Sequence, residues 1–181
     1  MGRLILITGA SGSGKSAFAE NRVTQYEGIR RVYLATMDCS DTESQKRIQK
    51  HRTLRRGKGF TTIEKPGGLG ELPSEVWKDA AVLLEDLSNL LSNEMFSRST
   101  EYNEYNIEGL FFFKKISEDL QKIRKVCLHL VIVTNEVFED GIRWKKEMLE
   151  YVRTLGMLNQ KLAEQADEVY RVHFGIPVRL K

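Results

Sequence analysis

Short apolar runs alternate with longer stretches of helical composition along the chain. The runs are Leu4-Ile5-Leu6-Ile7, Val32-Tyr33-Leu34-Ala35, Thr61-Thr62-Ile63, Ala81-Val82-Leu83-Leu84, Leu128–Val133 and Val169 to Val172. Several are apolar throughout instead of alternating, the pattern of parallel strands covered on both faces. Helical candidates lie between them at 16–26, 43–56, 86–96, 107–125 and 144–165. A last run, Pro177-Val178-Arg179-Leu180, follows Gly175 closely enough to return as a hairpin strand. This alternation predicts an α/β fold: a mostly parallel sheet flanked by helices, with ligands at the carboxyl ends of the strands. No repeat or interdomain linker interrupts it, and 181 residues suit one domain spanning 1–181. The polar stretch 97–106 reads as a surface loop, and Pro66-Gly67-Gly68 as a turn.

The first junction carries the strongest chemistry. Between the run ending at Ile7 and the helix beginning near Ser16 stand Gly9, Ala10, Ser11, Gly12, Ser13, Gly14, Lys15 and Ser16. They complete the pattern GxxxxGK(S/T). A strand, a glycine loop and a helix in that order aim successive backbone N–H groups and a helix N-terminus at one point. A nucleoside triphosphate, GTP or ATP, is the expected occupant. Lys15 would reach its β- and γ-phosphates, and the Ser16 hydroxyl would ligate Mg²⁺.

Such a loop needs an acid at the end of another buried strand. The run at 81–84 ends in Glu85-Asp86. Glu85 is read as a metal or water-shell ligand and Asp86 as the N-cap of the helix that follows. The run at 130–133 ends in Thr134-Asn135-Glu136, which suits either the rim of the same crevice or simple turn chemistry.

The segment Glu43 to Arg56 (ESQKRIQKHRTLRR) places Arg47, His51 and Arg55 on one helical face. Ile48 and Leu54 are its only large apolar residues, which predicts a peripheral helix. It reads as a solvated basic helix, as a nucleic-acid-binding arm, or as the carrier of a nucleophile. Interleaved aromatics, the mark of the second reading, are missing from it. Surrounding cations disfavour imidazolium, so a lone pair on His51 stays available near neutral pH. Arg47 and Arg52 would hold the triphosphate for attack. His129 and His173 lie in strand-like runs and are read as structural.

The formal charge of +3 makes no demand for a nucleic-acid partner. Cys39 and Cys127 form neither a disulfide framework nor a zinc motif and suit a reducing cytosol. The chain enters its first strand at once, leaving no room for a signal peptide, and no run approaches a membrane span. A cytoplasmic protein is expected.

Taken together, these segments resemble the bifunctional adenosylcobinamide kinase/adenosylcobinamide-phosphate guanylyltransferase family of cobalamin assembly. The likeness rests on ITGASGSGKS at 7–16, YLAT at 33–36, Asp41, Glu43, RIQKHR at 47–52 and TIEKP at 62–66. It continues through LLED at 83–86, Asn93, VTNEV at 133–137, Asn159-Gln160 and ADEVY at 166–170. The resemblance implies a P-loop NTPase with a RecA-like sheet, assembled as a homotrimer. It also implies two reactions at one phosphate loop. Adenosylcobinamide, a corrinoid, is phosphorylated on its aminopropanol hydroxyl. GMP then passes from GTP to that phosphate through a guanylyl group carried on the histidine of the RIxxH run, here His51. Two narrower expectations stand beside it: a small-molecule kinase without guanylyl transfer, and a nucleotide-binding regulator without turnover. After TNEV the chain departs from the family, lacking the usual Val-Pro turn. Gly141, Arg143, Lys145 and Lys146 occupy this segment, so the difference is expected on the acceptor side.

Overall fold

The computed structural model describes residues 1–38, 49, 52–53, 55–96, 109–137 and 145–181. Arg47, His51, most of the helix expected at 43–56, Cys39, the polar stretch 97–106, Gly141 and Arg143 lie outside them.

Among the described residues seven strands form one sheet: β1 (Arg3–Thr8), β2 (Arg30–Ala35), β3 (Phe60–Glu64), β4 (Ala80–Glu85), β5 (His129–Val133), β6 (Glu168–His173) and β7 (Ile176–Arg179). Their order is β3-β2-β4-β5-β1-β6-β7. All neighbours run parallel except β6 and β7, the antiparallel hairpin that the last run predicted. The helices packed around the sheet include α1 (Lys15–Thr24), α2 (Leu87–Phe96), α3 (Gly109–Val126) and α4 (Lys146–Gln165).

The continuous apolar runs follow from burial on both sides. Leu4, Leu6, Val82, Leu84, Leu130 and Ile132 face one core, shared with α2, α3 and α4. The alternate positions Ile5, Ile7, Ala81, Leu83, Val131 and Val133 face a second core under α1. Strand side chains alternate faces, so a strand covered twice must be apolar at every position. Edge strand β3 has one covered face at most, and Thr61, Thr62 and Glu64 are exposed.

Parallel pairing brings every carboxyl end to one edge. Ala35 sits opposite both Glu64 and Glu85, and Ile7 lies opposite Val133 and Tyr170. Strand β5 therefore separates the strand that ends in the phosphate loop from the strand that ends in Glu85. The polar residues after β5 brace this edge. Thr134 is buried and donates from Oγ1 to Asn159 Oδ1 at 2.8 Å. Glu136 receives a bidentate pair from Arg171, with its closest contact at 2.7 Å, and its N–H donates to Gly9 O at 3.3 Å. These bonds draw β5, β1 and β6 together beside the loop, the turn-and-brace role for the 134–136 segment.

Gly14 is the N-cap of α1, with φ of 91°. A Cβ built there would come within 3.0 Å of Gly175 Cα, so the loop and the β6–β7 turn meet backbone to backbone. Gly14→Ala is expected to destabilise the fold by about 1–3 kcal/mol, through positive φ and this contact. Chemical denaturation measures the loss, and a variant as stable as wild type would show that the loop tolerates both.

Candidate active site

β1 ends at Thr8 and α1 begins at Lys15, so the loop residues occupy the turn between a buried strand and a helix N-terminus. Ser13 N–H donates to Ala10 O at 3.2 Å and curls the loop. The first N–H groups of α1 have no intrahelical acceptor, as at every helix start, and point into the curl. Lys15 is buried, and its Nζ donates to Ala10 O at 3.2 Å. The ammonium is thus folded back over the loop, where a triphosphate would sit.

Ser16 Oγ donates to Glu85 Oε1 at 2.5 Å, joining the loop to the end of β4. The second carboxylate oxygen, Oε2, is buried with no hydrogen-bond partner. Burial pushes the Glu85 carboxyl up to about 8, helped by the charge of Asp86 and opposed by Ser16 and Lys15. A hydroxyl and an orphaned carboxylate oxygen side by side are hard-oxygen donors that fit Mg²⁺. Among the described residues no group of three or more His, Cys, Asp or Glu could hold a metal.

The neighbouring acid has a different task. Asp86 Oδ1 accepts from Asn89 N–H at 2.7 Å and Ser88 Oγ at 2.6 Å, the N-cap expected for α2. Its Oδ2 accepts from Asn135 Nδ2 at 3.0 Å. Thr36 Oγ1 donates to Asp86 O at 2.7 Å, while Asn93 Nδ2 donates to Thr36 O and Pro66 O at 2.7 and 3.0 Å. Asn93, marked by the resemblance, therefore ties α2 to the ends of β2 and β3. Both Asp86 carboxylate oxygens are thus taken up by structural bonds, whereas Glu85 Oε2 is not.

On the far side of Glu85 an open cleft of about 350 Å³ runs between Tyr33, Met37, Arg55 and Asn89. Arg55 is 7% exposed, and its guanidinium lies 3.6 Å from the centre of the buried Tyr33 ring. Its Nε has no hydrogen-bond partner. Helical periodicity puts Arg55 on a peripheral cationic face, whereas the structure buries it. The planar guanidinium stacks on an aromatic face that an ammonium would fit less well. The sequence signal for this was the aromatic at 33, a polar-tipped residue in an otherwise aliphatic strand. Arg52 pairs with Glu64 at the end of β3. Four strand spacings of about 4.8 Å separate that strand from β1, so Arg52 stands roughly 19 Å across the edge from the phosphate-loop strand. His129 stacks on Tyr26 at 3.6 Å, and burial, Arg3 and Arg22 lower its pKa. Its place at the start of β5 is the opposite end of the strands from the loop.

A loop of backbone donors joined through one hydroxyl to a strand-end carboxylate defines a P-loop nucleotide-binding protein of the α/β class. A solved ATPase domain shares the fold, with a TM-score of 0.50 at 18% identity over 93% of this chain and 68% of that one. The family model for cobinamide kinase / cobinamide phosphate guanyltransferase matches residues 5–180, and the chain belongs to that family. It is 32% identical to the bifunctional adenosylcobalamin biosynthesis protein CobU of Salmonella typhimurium, over 98% of this chain and 99% of the relative. The Escherichia coli CobU is 30% identical over the same shares. CobP of Pseudomonas aeruginosa is 29% identical over 97% and 96%.

The raised Glu85 carboxyl makes the ligand-free protein sensitive to pH. Between its ordinary value of 4.5 and about 8, the folded state holds a proton that the unfolded state releases. Stability contributed by this group is present below pH 4.5 and lost as pH rises through about 8. In chelator-treated protein without nucleotide, Glu85→Gln is expected to flatten the fall in Tm between about pH 5 and pH 8. An unchanged slope in the variant would show that Glu85 ionises freely.

Proposed function

We propose that the protein phosphorylates adenosylcobinamide and then guanylylates the product, using one domain and one phosphate loop for both steps. The observation that carries this reading is the Ser16–Glu85 bond beside the buried Lys15, in a chain of the cobinamide kinase / cobinamide phosphate guanyltransferase family.

In the kinase step the loop N–H groups and Lys15 hold the triphosphate, and Ser16 and Glu85 supply protein oxygens to Mg²⁺. An ion held by these two residues would supply charge stabilisation to the transferred phosphoryl group. The corrinoid hydroxyl attacks the γ-phosphorus in line, the bond to the β-phosphate oxygen breaks, and the nucleoside diphosphate leaves. Catalysis is positioning plus charge stabilisation.

In the second step a ring nitrogen of His51 attacks the α-phosphorus of GTP. The bond to the β-phosphate oxygen breaks and pyrophosphate leaves. An oxygen of the corrinoid phosphate then attacks the same phosphorus. The phosphorus–nitrogen bond breaks, His51 regains its lone pair, and the GDP-linked corrinoid forms. Arg47 and Arg52 serve the guanylyl side of this exchange. Lys145 and Lys146, exposed at the start of α4, form a basic rim for the acceptor. The resemblance adds a homotrimer, and the cysteine usage suits the cytoplasm; no helix among the described residues is long and apolar enough to cross a membrane.

α-Labelled GTP tests the covalent step. Wild type is expected to retain label that is acid-labile and alkali-stable. His51→Ala is expected to lose it by about 100-fold or more while still phosphorylating adenosylcobinamide. Label retained by His51→Ala would place the nucleophile elsewhere, and an unlabelled wild type with kinase activity would support a simple kinase instead.

A further inference from the structure

The turn between β6 and β7 has two residues, Phe174 and Gly175, with φ of 50° and 78°. His173 and Ile176 pair across it. Positive φ at both positions is the I′ turn, whose first position favours Asn, Asp or Gly. Phenylalanine is a poor choice for that backbone. Core packing does not explain it either, because Phe174 is 96% exposed. A bulky ring stands clear of its own chain at a strained position.

The place of the turn supplies a reason. Gly175 N–H donates to Ser13 O at 2.8 Å, so the hairpin tip rests on the phosphate loop. The sheet order places the Ser16–Glu85 bond and the hairpin on opposite sides of β1. Ser16 and Glu85 set the reacting end on the β5–β4 side of β1, and the β6–β7 hairpin stands on the other side. A triphosphate lying with its γ-phosphate toward Glu85 would extend its nucleoside toward the hairpin.

We propose that Phe174 is a stacking platform for the base of the nucleoside triphosphate held by residues 9–16. The inference rests on the reading that this loop binds a triphosphate. Stacking uses the π-face that every base offers, so it supports adenine and guanine alike.

Dissociation constants for MgATP, MgGTP and magnesium tripolyphosphate test this in wild type, Phe174→Asn and Phe174→Trp. Asparagine suits the I′ turn, so that variant should hold or raise Tm, which separates binding from folding. Phe174→Asn is expected to weaken both nucleotides by about 5- to 30-fold, corresponding to roughly 1–2 kcal/mol of lost stacking. Tripolyphosphate affinity should stay unchanged, and Phe174→Trp should bind nucleotides at least as well as wild type. Unchanged nucleotide affinity in Phe174→Asn would overturn the proposal. So would an equal loss for tripolyphosphate, which would mean that the turn only shapes the loop. A change confined to oligomeric state would assign Phe174, with exposed Ile176 and Val178, to contact with a second copy instead. Failure of wild type to bind tripolyphosphate or either nucleotide would overturn the loop reading and the base contact together.

Discussion

Everything at the candidate site depends on the loop after β1 being held from both sides by backbone. Strand β1 lies between β5 and β6, and each neighbour contributes a clamp. From the β5 side, Glu136 N–H bonds to Gly9 O, and from the hairpin side Gly175 N–H bonds to Ser13 O. Side-chain freedom plays little part in these contacts, so the curl of N–H donors exists before any ligand arrives. Preorganised donors need no reorganisation when charge appears, which is the condition for strong phosphate stabilisation. Lys15 and Ser16 inherit their positions from the same clamp.

From that frame the two acids at 85 and 86 diverge. They are adjacent in sequence, yet one is bonded to the start of α2 and to Asn135 after β5, and the other keeps a buried, unpartnered oxygen. The cap lets α2 begin at the edge of the sheet, and the helix in turn supports the β4 end that carries Glu85. A bonded acid and an acid with an open oxygen are separated by one peptide unit. The Arg55–Tyr33 stack performs a related service on the far wall, keeping a cation buried within the cleft beside Glu85.

Much of this was legible in residue order. The apolar runs located the strands of the described sheet because two-sided burial leaves no polar positions inside β1, β4 or β5. The phosphate loop and the Asp86 cap were also readable, since each follows from local rules about turns and caps. What escaped was long-range pairing. Nothing near Glu136 announces that Arg171 will hold it, and nothing near Thr134 announces Asn159. Arg55 was misplaced for the same reason: helix periodicity describes a helix alone, while its burial depends on an aromatic ring from a distant strand. An isolated exposed aromatic such as Phe174 is ordinary in a sequence, and only the contact of its turn with the loop sets it apart.

The central claim is that one phosphate loop serves both chemical steps, with Lys15 common to them. Lys15→Ala separates this from an arrangement with two independent nucleotide sites. Both half-reactions should be measured on the same preparation: phosphorylation of adenosylcobinamide, and guanylyl transfer to supplied adenosylcobinamide phosphate. A shared loop predicts that both rates fall together, by about 100-fold or more. Guanylyl transfer persisting near the wild-type rate while phosphorylation is lost would contradict it.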